Sequence, residues 1–127
     1  MYRSGGRALS PSARVTVVGV EHARLLYLYL DRGDQDGCAS LLDEHVHVRF
    51  PGMSAVRGRE GGVALAAGAC GTGRHRVRGV IAEGVDMAVT GVFQDGNEAE
   101  KDFVDIFTIS DCGLLISWRR FYDARRE

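Results

Sequence analysis

The chain has 127 residues, 45% of them hydrophobic and 26% charged, which fits one globular domain with a single core. Its formal net charge of −1 excludes the global field that draws proteins to nucleic acid or anionic membranes, and no run approaches the roughly 18 apolar residues of a membrane span. Cys38, Cys70 and Cys112 are far apart with no CxxC pair, so the expectation is reduced thiols in a cytoplasmic protein, without a zinc site or a disulfide framework.

Residues 1–13, rich in Ser, Gly and Arg and lacking a signal-type apolar run, read as a mobile tail before a single domain over 14–127. From Val15 to Leu30 the apolar spacing predicts a helix with Val18, Leu25, Leu26, Tyr29 and Leu30 on one face. Gly33 ends it, and Asp34 is placed to cap a second, short helix through Leu42. Val46, Val48 and Phe50 alternate with His47 and Arg49, a half-buried strand that stops at Pro51. A third helix is expected over Gly58 to Ala69, ended by Gly68 or Gly71. Beyond Gly73, turn signals at Glu83-Gly84, Asp95-Gly96 and Asp111-Cys112-Gly113 separate four strands, so the plan is α+β with an antiparallel sheet.

Register follows from turn geometry, because a one-residue slip reverses every side chain. Closing the last hairpin at Ser110 and Gly113 pairs Ile109 with Leu114, Phe107 with Ile116, Asp105 with Trp118 and Phe103 with Arg120. A three-residue loop at Asp95-Gly96 pairs Phe93 with Asn97 and Met87 with Phe103. The Glu83-Gly84-Val85 turn puts Ile81, Val77 and His75 inward, with Arg76 and Arg78 outward. The inner face then holds Asp105 and Arg120 among Val77, Ile81, Met87, Val89, Phe93, Phe103, Phe107, Ile116 and Trp118. Two charged groups in an apolar lining are the main chemical signal in the sequence.

The segment YLDRGDQDGCASLLDEHVHVRFPG, from Tyr29 to Gly52, and DFVDIFTISDCGLLISWRRFYD, from Asp102 to Asp123, resemble the SnoaL-like, ketosteroid-isomerase-like members of the nuclear transport factor 2-like superfamily. The resemblance spans about Val20 to Asp123. It implies a cone-shaped, curved antiparallel sheet packed on three N-terminal helices and enclosing an apolar pocket. The steroid-isomerase pattern has a tyrosine on the first helix, an aspartate before the proline after the first strand and an aspartic acid on the third long strand. The matching positions here are Leu26, Phe50 and Asp105, so only the last is kept. The epoxide-hydrolase pattern finds Phe103, Asp105 and Arg120, again keeping only Asp105. Neither mechanism transfers. The resemblance that remains is to SnoaL-like cyclases and related proteins of antibiotic pathways, which use varied residues around the same pocket. The resemblance thus implies a cofactor-independent cyclase or isomerase acting on an apolar carbonyl compound such as a polyketide intermediate.

Asp105 is the first candidate for acid–base work, since loss of hydration in an apolar cavity raises a carboxyl pKa. Arg120, diagonally across the hairpin at roughly 7–8 Å, is within reach and would instead hold Asp105 ionised. The pair is then either catalytic or an anchor. Arg120 or His75 would stabilise developing negative charge. Trp118 offers a floor for a planar ligand, with Phe103, Met87 and Phe50 as further contacts or core. Tyr29 could bring its hydroxyl to the cavity or serve as a core tyrosine. His45 and His47 lack a third ligand, so no metal is expected, and Gly68–Gly73 neither follows a strand nor ends in Lys-Ser/Thr, so it is no phosphate cradle. Two other readings stand beside the enzyme. One is a binding protein for a small apolar ligand. The other is a homodimer formed through Val80, Ala88, Val104 and Ile106 on the outer sheet face.

Overall fold

The computed structural model describes residues 11–123. The first helix, α1 (Pro11–Arg32), is followed by α2 (Gln35–Leu41), β1 (Leu42–Arg49), β2 (Val56–Arg57), α3 (Arg59–Cys70), β3 (Arg74–Glu83), β4 (Asp86–Gln94), β5 (Lys101–Ile109) and β6 (Leu115–Tyr122). Helix α1 takes in residues 11–13 of the stretch assigned to a tail, and the rest of that stretch, residues 1–10, lies outside the described residues. None of the described helices is long and apolar enough to cross a membrane.

Helix α1 buries Gly19, Ala23, Leu26, Tyr27 and Leu30, which lie three or four residues apart on one stripe. The stripe is rotated from the expected face: Val18 is exposed and Tyr29 only half-buried, whereas Tyr27 points inward. Gly19 is required by contact, because a β-carbon there would lie 2.4 Å from Ile109 Cδ1. Asp34 caps α2 as expected, its carboxylate accepting from Gly37 N at 2.8 Å.

The six strands form one sheet in the order β2-β1-β6-β5-β4-β3. The three hairpins from β3 to β6 are antiparallel, but β1 runs parallel to β6, so the sheet is mixed rather than antiparallel. No hairpin joins those two strands in sequence, so no turn constrained their relative direction. Inward and outward parity on β4 and β5 is as read from the sequence, whereas the partners differ. The β4–β5 loop takes six residues, 95–100, and sets Met87 against Phe107 and Val89 against Asp105. A bulge at Arg78 leaves Val77 and His75 inward but turns Ile81 out, 72% exposed, and brings Val80 against the core in its place. A second bulge, at Ile116, removes that residue from the inner face and pairs Ile109 with Leu115, Phe107 with Trp118 and Asp105 with Arg120.

Three helices cover the concave side of the sheet. That side is filled: Trp118, Phe103, Phe107, Leu26, Leu42, Leu115, Val46, Val48, Val89 and Asp105 are each less than 2% exposed. Where the family pattern implied an enclosed apolar pocket, side chains pack the space. The spaces open to solvent include a cleft of about 530 Å³ at one end of the sheet and a smaller one of about 120 Å³ among α1, α2 and α3, lined by Leu30, Cys38, Val63 and Cys70.

Candidate functional site

Asp105 on β5 and Arg120 on β6 are direct cross-strand partners, both buried. Arg120 donates from Nε to Asp105 Oδ1 at 2.8 Å and from Nη2 to Oδ2 at 2.7 Å, a bidentate fork. The Tyr27 hydroxyl donates to the same Oδ2 at 2.6 Å. Burial, and then the Asp105 charge, hold the Tyr27 phenol well above its ordinary pKa, so it stays protonated. Burial alone would lower the Arg120 pKa, but the charge and hydrogen bonds of Asp105 outweigh it and keep the guanidinium charged. Its flat faces lie among aromatic rings, 4.4 Å from the Phe103 centroid and 5.0 Å from that of Phe50. The remaining nitrogen, Nη1, donates to the Tyr122 hydroxyl at 3.2 Å and more weakly to Cys70 Sγ at 3.8 Å.

A second polar cluster adjoins the first. Asp31, in the last turn of α1, accepts from the backbone N–H of His75 at 2.8 Å and contacts its ring Nδ1 at 2.6 Å. The distance is that of an ion pair, but burial, together with the nearby Arg120 charge, lowers the His75 pKa against the hydrogen bond and charge of Asp31. The imidazole is therefore neutral at neutral pH and donates from Nδ1, leaving Nε2 3.9 Å from Cys70 Sγ. Burial pushes the Cys70 thiol up to about 11.

The cleft lies where β1 runs out beside the end of β6. Arg49, Phe50 and the Pro51–Ser54 turn line one side, and Arg119, Arg120, Phe121 and Tyr122 the other. A smaller space of about 200 Å³ adjoins it and shares Phe50, Pro51, Met53 and Tyr122. Tyr122 is half-buried, and burial raises its pKa despite the nearby Arg120 charge. Its oxygen accepts from Arg120, while its own proton has no acceptor among the described residues.

The predicted residues separate into three groups. Arg120 and Phe50 reach the cleft. Asp105, His75, Phe103 and Met87 are buried behind it, and Trp118 packs against Phe50 with ring centroids 5.2 Å apart. Tyr29 lies on the flank of α1 beside Gly37, away from Asp105, whose tyrosine partner is Tyr27. Asp105 faces Arg120 rather than Trp118. The sequence reading missed Tyr27, Asp31 and Tyr122. Two of these had a legible signal, since Asp31 follows Tyr27 by one helical turn and Tyr122 shares the strand face of Arg120 two residues before it. His45 and His47 are exposed, and the described residues hold no group of three or more His, Cys, Asp or Glu placed for a metal.

With that geometry established, comparison with known proteins is informative about ancestry. Residues 23–118 match the SnoaL-like domain family. A proposed ketosteroid isomerase from Kribbella flavida superposes with a TM-score of 0.78 at 23% identity, covering 88% of this chain and 82% of that one. A proposed SnoaL-like polyketide cyclase from Jannaschia gives 0.75 at 22%, covering 93% and 92%. An epoxide hydrolase from M. tuberculosis gives 0.70 at 18%, covering 85% and 84%. At these identities the likeness establishes the fold alone. A search of curated proteins finds no match.

Proposed function

The chain belongs to the SnoaL-like family, and from that premise we propose that it binds a small, mostly apolar organic molecule bearing a carbonyl group, in the cleft between Phe50–Ser54 and the end of β6. The observation that carries this reading is the Tyr122 hydroxyl. Arg120, itself fixed by Asp105, donates to its oxygen, and its proton is left for an acceptor in the cleft. A phenol so polarised donates to a carbonyl oxygen and stabilises the negative charge that develops on enolisation, while the α-proton passes to solvent water or a buffer base at the open mouth. Phe50, Met53 and the Tyr122 ring supply apolar contact. Asp105, enclosed and already accepting three hydrogen bonds, acts here as a positioning residue through Arg120. Isomerisation or cyclisation of a polyketide-like carbonyl compound is the reaction class this arrangement suits. The protein supplies the proton donor, solvent or buffer accepts the α-proton, and the proposed chemistry calls on no cofactor or metal. A single domain over residues 14–127 with reduced thiols, in a cytoplasmic setting, belongs to the same proposal.

The test uses 2-acetylnaphthalene and 2-ethylnaphthalene, which differ at the carbonyl. The ketone is expected to raise the melting temperature of the wild type more than the hydrocarbon does. Tyr122→Phe is expected to bind the ketone roughly five- to tenfold more weakly, the loss of one hydrogen bond. In D2O the protein is expected to accelerate deuterium incorporation at the acetyl methyl group, and Tyr122→Phe to lose that acceleration. Equal binding of the ketone by the two proteins removes Tyr122 from the site.

The outer sheet face favours an additional reading as a homodimer. Ile81, Ala88 and Ile106 form one row across the strands, and Val104 and Phe121 lie in the next; Ile81, Ile106 and Phe121 are 72%, 40% and 43% exposed. Val80, expected on this face, is instead among the residues packed on the core. Glu83 and Asp86 mark one end of a neighbouring row, and His47 and Arg57 the other. A two-fold axis along the strands between β5 and β6 sets acidic ends on basic ends and Val104 on the Phe121 of a second copy, with the aliphatic stems of Arg119 and Arg49 laid along Ile106 and Ala88. Sedimentation velocity is expected to show a dimer that Ile106→Lys dissociates; a monomer at all concentrations refutes it.

A further inference from the structure

One buried donor remains without a use. Trp118 is 1% exposed, and its indole Nε1–H is a buried side-chain polar atom with no partner among the described residues. An indole nitrogen only donates, and buried donors of this kind almost always find an acceptor. The ring stacks on Phe107 at 5.8 Å and meets Phe50 edge-on at 5.2 Å. A phenylalanine at this position could make similar ring contacts without leaving an N–H unpaired.

Phe50 connects that donor to the cleft. It lines both the 530 Å³ and the 200 Å³ spaces, and its ring also meets the indole. It is the first residue beyond β1, at the start of a turn closed by Met53 N donating to Phe50 O at 3.2 Å, so no strand ladder holds it. Trp118, Arg120 and Tyr122 alternate on the inner face of β6, and four residues of strand place the outer two roughly 13 Å apart at their backbones.

We infer that Trp118 is a second hydrogen-bond donor for the ligand, reached when the Phe50 ring swings aside, so that the site selects an elongated molecule with an acceptor at each end. This rests on the cleft reading above and adds to it a specificity residue, a gate and a ligand shape. Tyr122 takes one acceptor at the mouth, and Trp118 takes the other behind Phe50.

The probes are 2,6-diacetylnaphthalene and 2-acetyl-6-ethylnaphthalene, alike in length but differing by one acceptor. Trp118 is the only tryptophan, so the protein has a single indole N–H resonance. The diacetyl compound is expected to move that resonance downfield and to bind roughly five- to tenfold more tightly than its partner, one hydrogen bond's difference. Trp118→Phe, which keeps a ring in place, is expected to abolish the preference. Phe50→Ala is expected to speed association of both probes. If the probes perturb the Tyr122 ring signals while the indole resonance stays put, or bind equally, the second donor is refuted and the cleft reading stands. If neither binds the wild type or Phe50→Ala, both readings fall. An indole proton that exchanges in the free protein as fast as in the unfolded chain already has water for a partner, and that too refutes the inference.

Discussion

Replacing Asp105 by Asn removes the countercharge of a buried arginine without changing shape. Asp105 accepts at 2.6, 2.7 and 2.8 Å from Tyr27 and from two nitrogens of Arg120. A carboxamide keeps one acceptor oxygen and turns its N–H2 toward a donor, while Arg120 stays charged at 2% exposure. Breaking one partner out of a buried pair costs about 3–5 kcal/mol, a large share of the ~5–15 kcal/mol that holds a domain folded. For a domain of this length the melting temperature should fall by ~10–20 °C. Urea unfolding followed by the fluorescence of Trp118 measures the free energy directly. The control removes every member together, as Asp105→Leu with Arg120→Met and Tyr27→Phe. Buried ion networks replaced by apolar groups of similar volume are commonly neutral or more stable by about 1–4 kcal/mol. The single variant should therefore be much less stable than the triple one. A cost below ~1 kcal/mol for Asp105→Asn, or a triple variant as unstable as the single, would refute the assignment of Asp105 as the countercharge of Arg120.

Other consequences are open to measurement. The His75 pKa is lowered from 6.5, so below that pH the unfolded chain binds a proton that the folded one does not; stability present above pH 6.5 is lost on acidification. His75→Gln is expected to flatten the fall in stability between pH 7 and pH 5, and an unchanged slope would remove His75 from it. Burial holds the Cys38 and Cys70 thiols at about 12 and about 11, while Cys112 is exposed. Ellman's reagent at pH 8 should modify one thiol rapidly in the folded protein and all three in denaturant, and two fast thiols would contradict this burial. Gly19→Ala places a methyl 2.4 Å from Ile109 Cδ1 and should cost about 1–3 kcal/mol, partly recovered by Ile109→Val; full stability in the single variant would refute the close approach.

The sequence carried those features that obey a period and hid those that break one. Alternation over Met87, Val89 and Phe93, and over Phe103, Asp105 and Phe107, placed the inner faces of β4 and β5 correctly, so Asp105 was found. The bulge at Ile116 inserts a residue with no compositional mark, and the one at Arg78 is marked only by the neighbouring Gly79 inside the strand. Ile81 and Ile116 were consequently set inward, and Asp105 was set opposite Trp118. On α1 the error was one of phase. Leu25 is as apolar as Leu26 and Tyr29 as Tyr27, and only contact with α2 and with β3, β5 and β6 decides that Tyr27 is the buried tyrosine. The family pattern was matched at Leu26, one residue before the side chain that reaches Asp105. Pocket shape was beyond reach for a different reason. Whether aromatic rings fill a concave face or leave it hollow depends on how α1 and the Phe50 turn close upon it, and no spacing rule states that.

A charged pair so placed asks for a cause other than stability, because apolar side chains could fill the same volume at no loss. The geometry supplies one. Asp105 occupies Nε and Nη2 of Arg120, and the Phe103 ring centroid lies 4.4 Å from its guanidinium carbon, so the group has little rotational freedom left even when Phe50 moves. What remains is Nη1, pointing at Tyr122 on the edge of the cleft. The arrangement turns a carboxylate buried in the core into a fixed orientation for a phenol at the mouth, with the reorganisation completed when the chain folds. A surface arginine could polarise the same hydroxyl, but it would be free to swing away, and water would screen it. Burying the pair lets the mouth stay open to a ligand while its donor stays still.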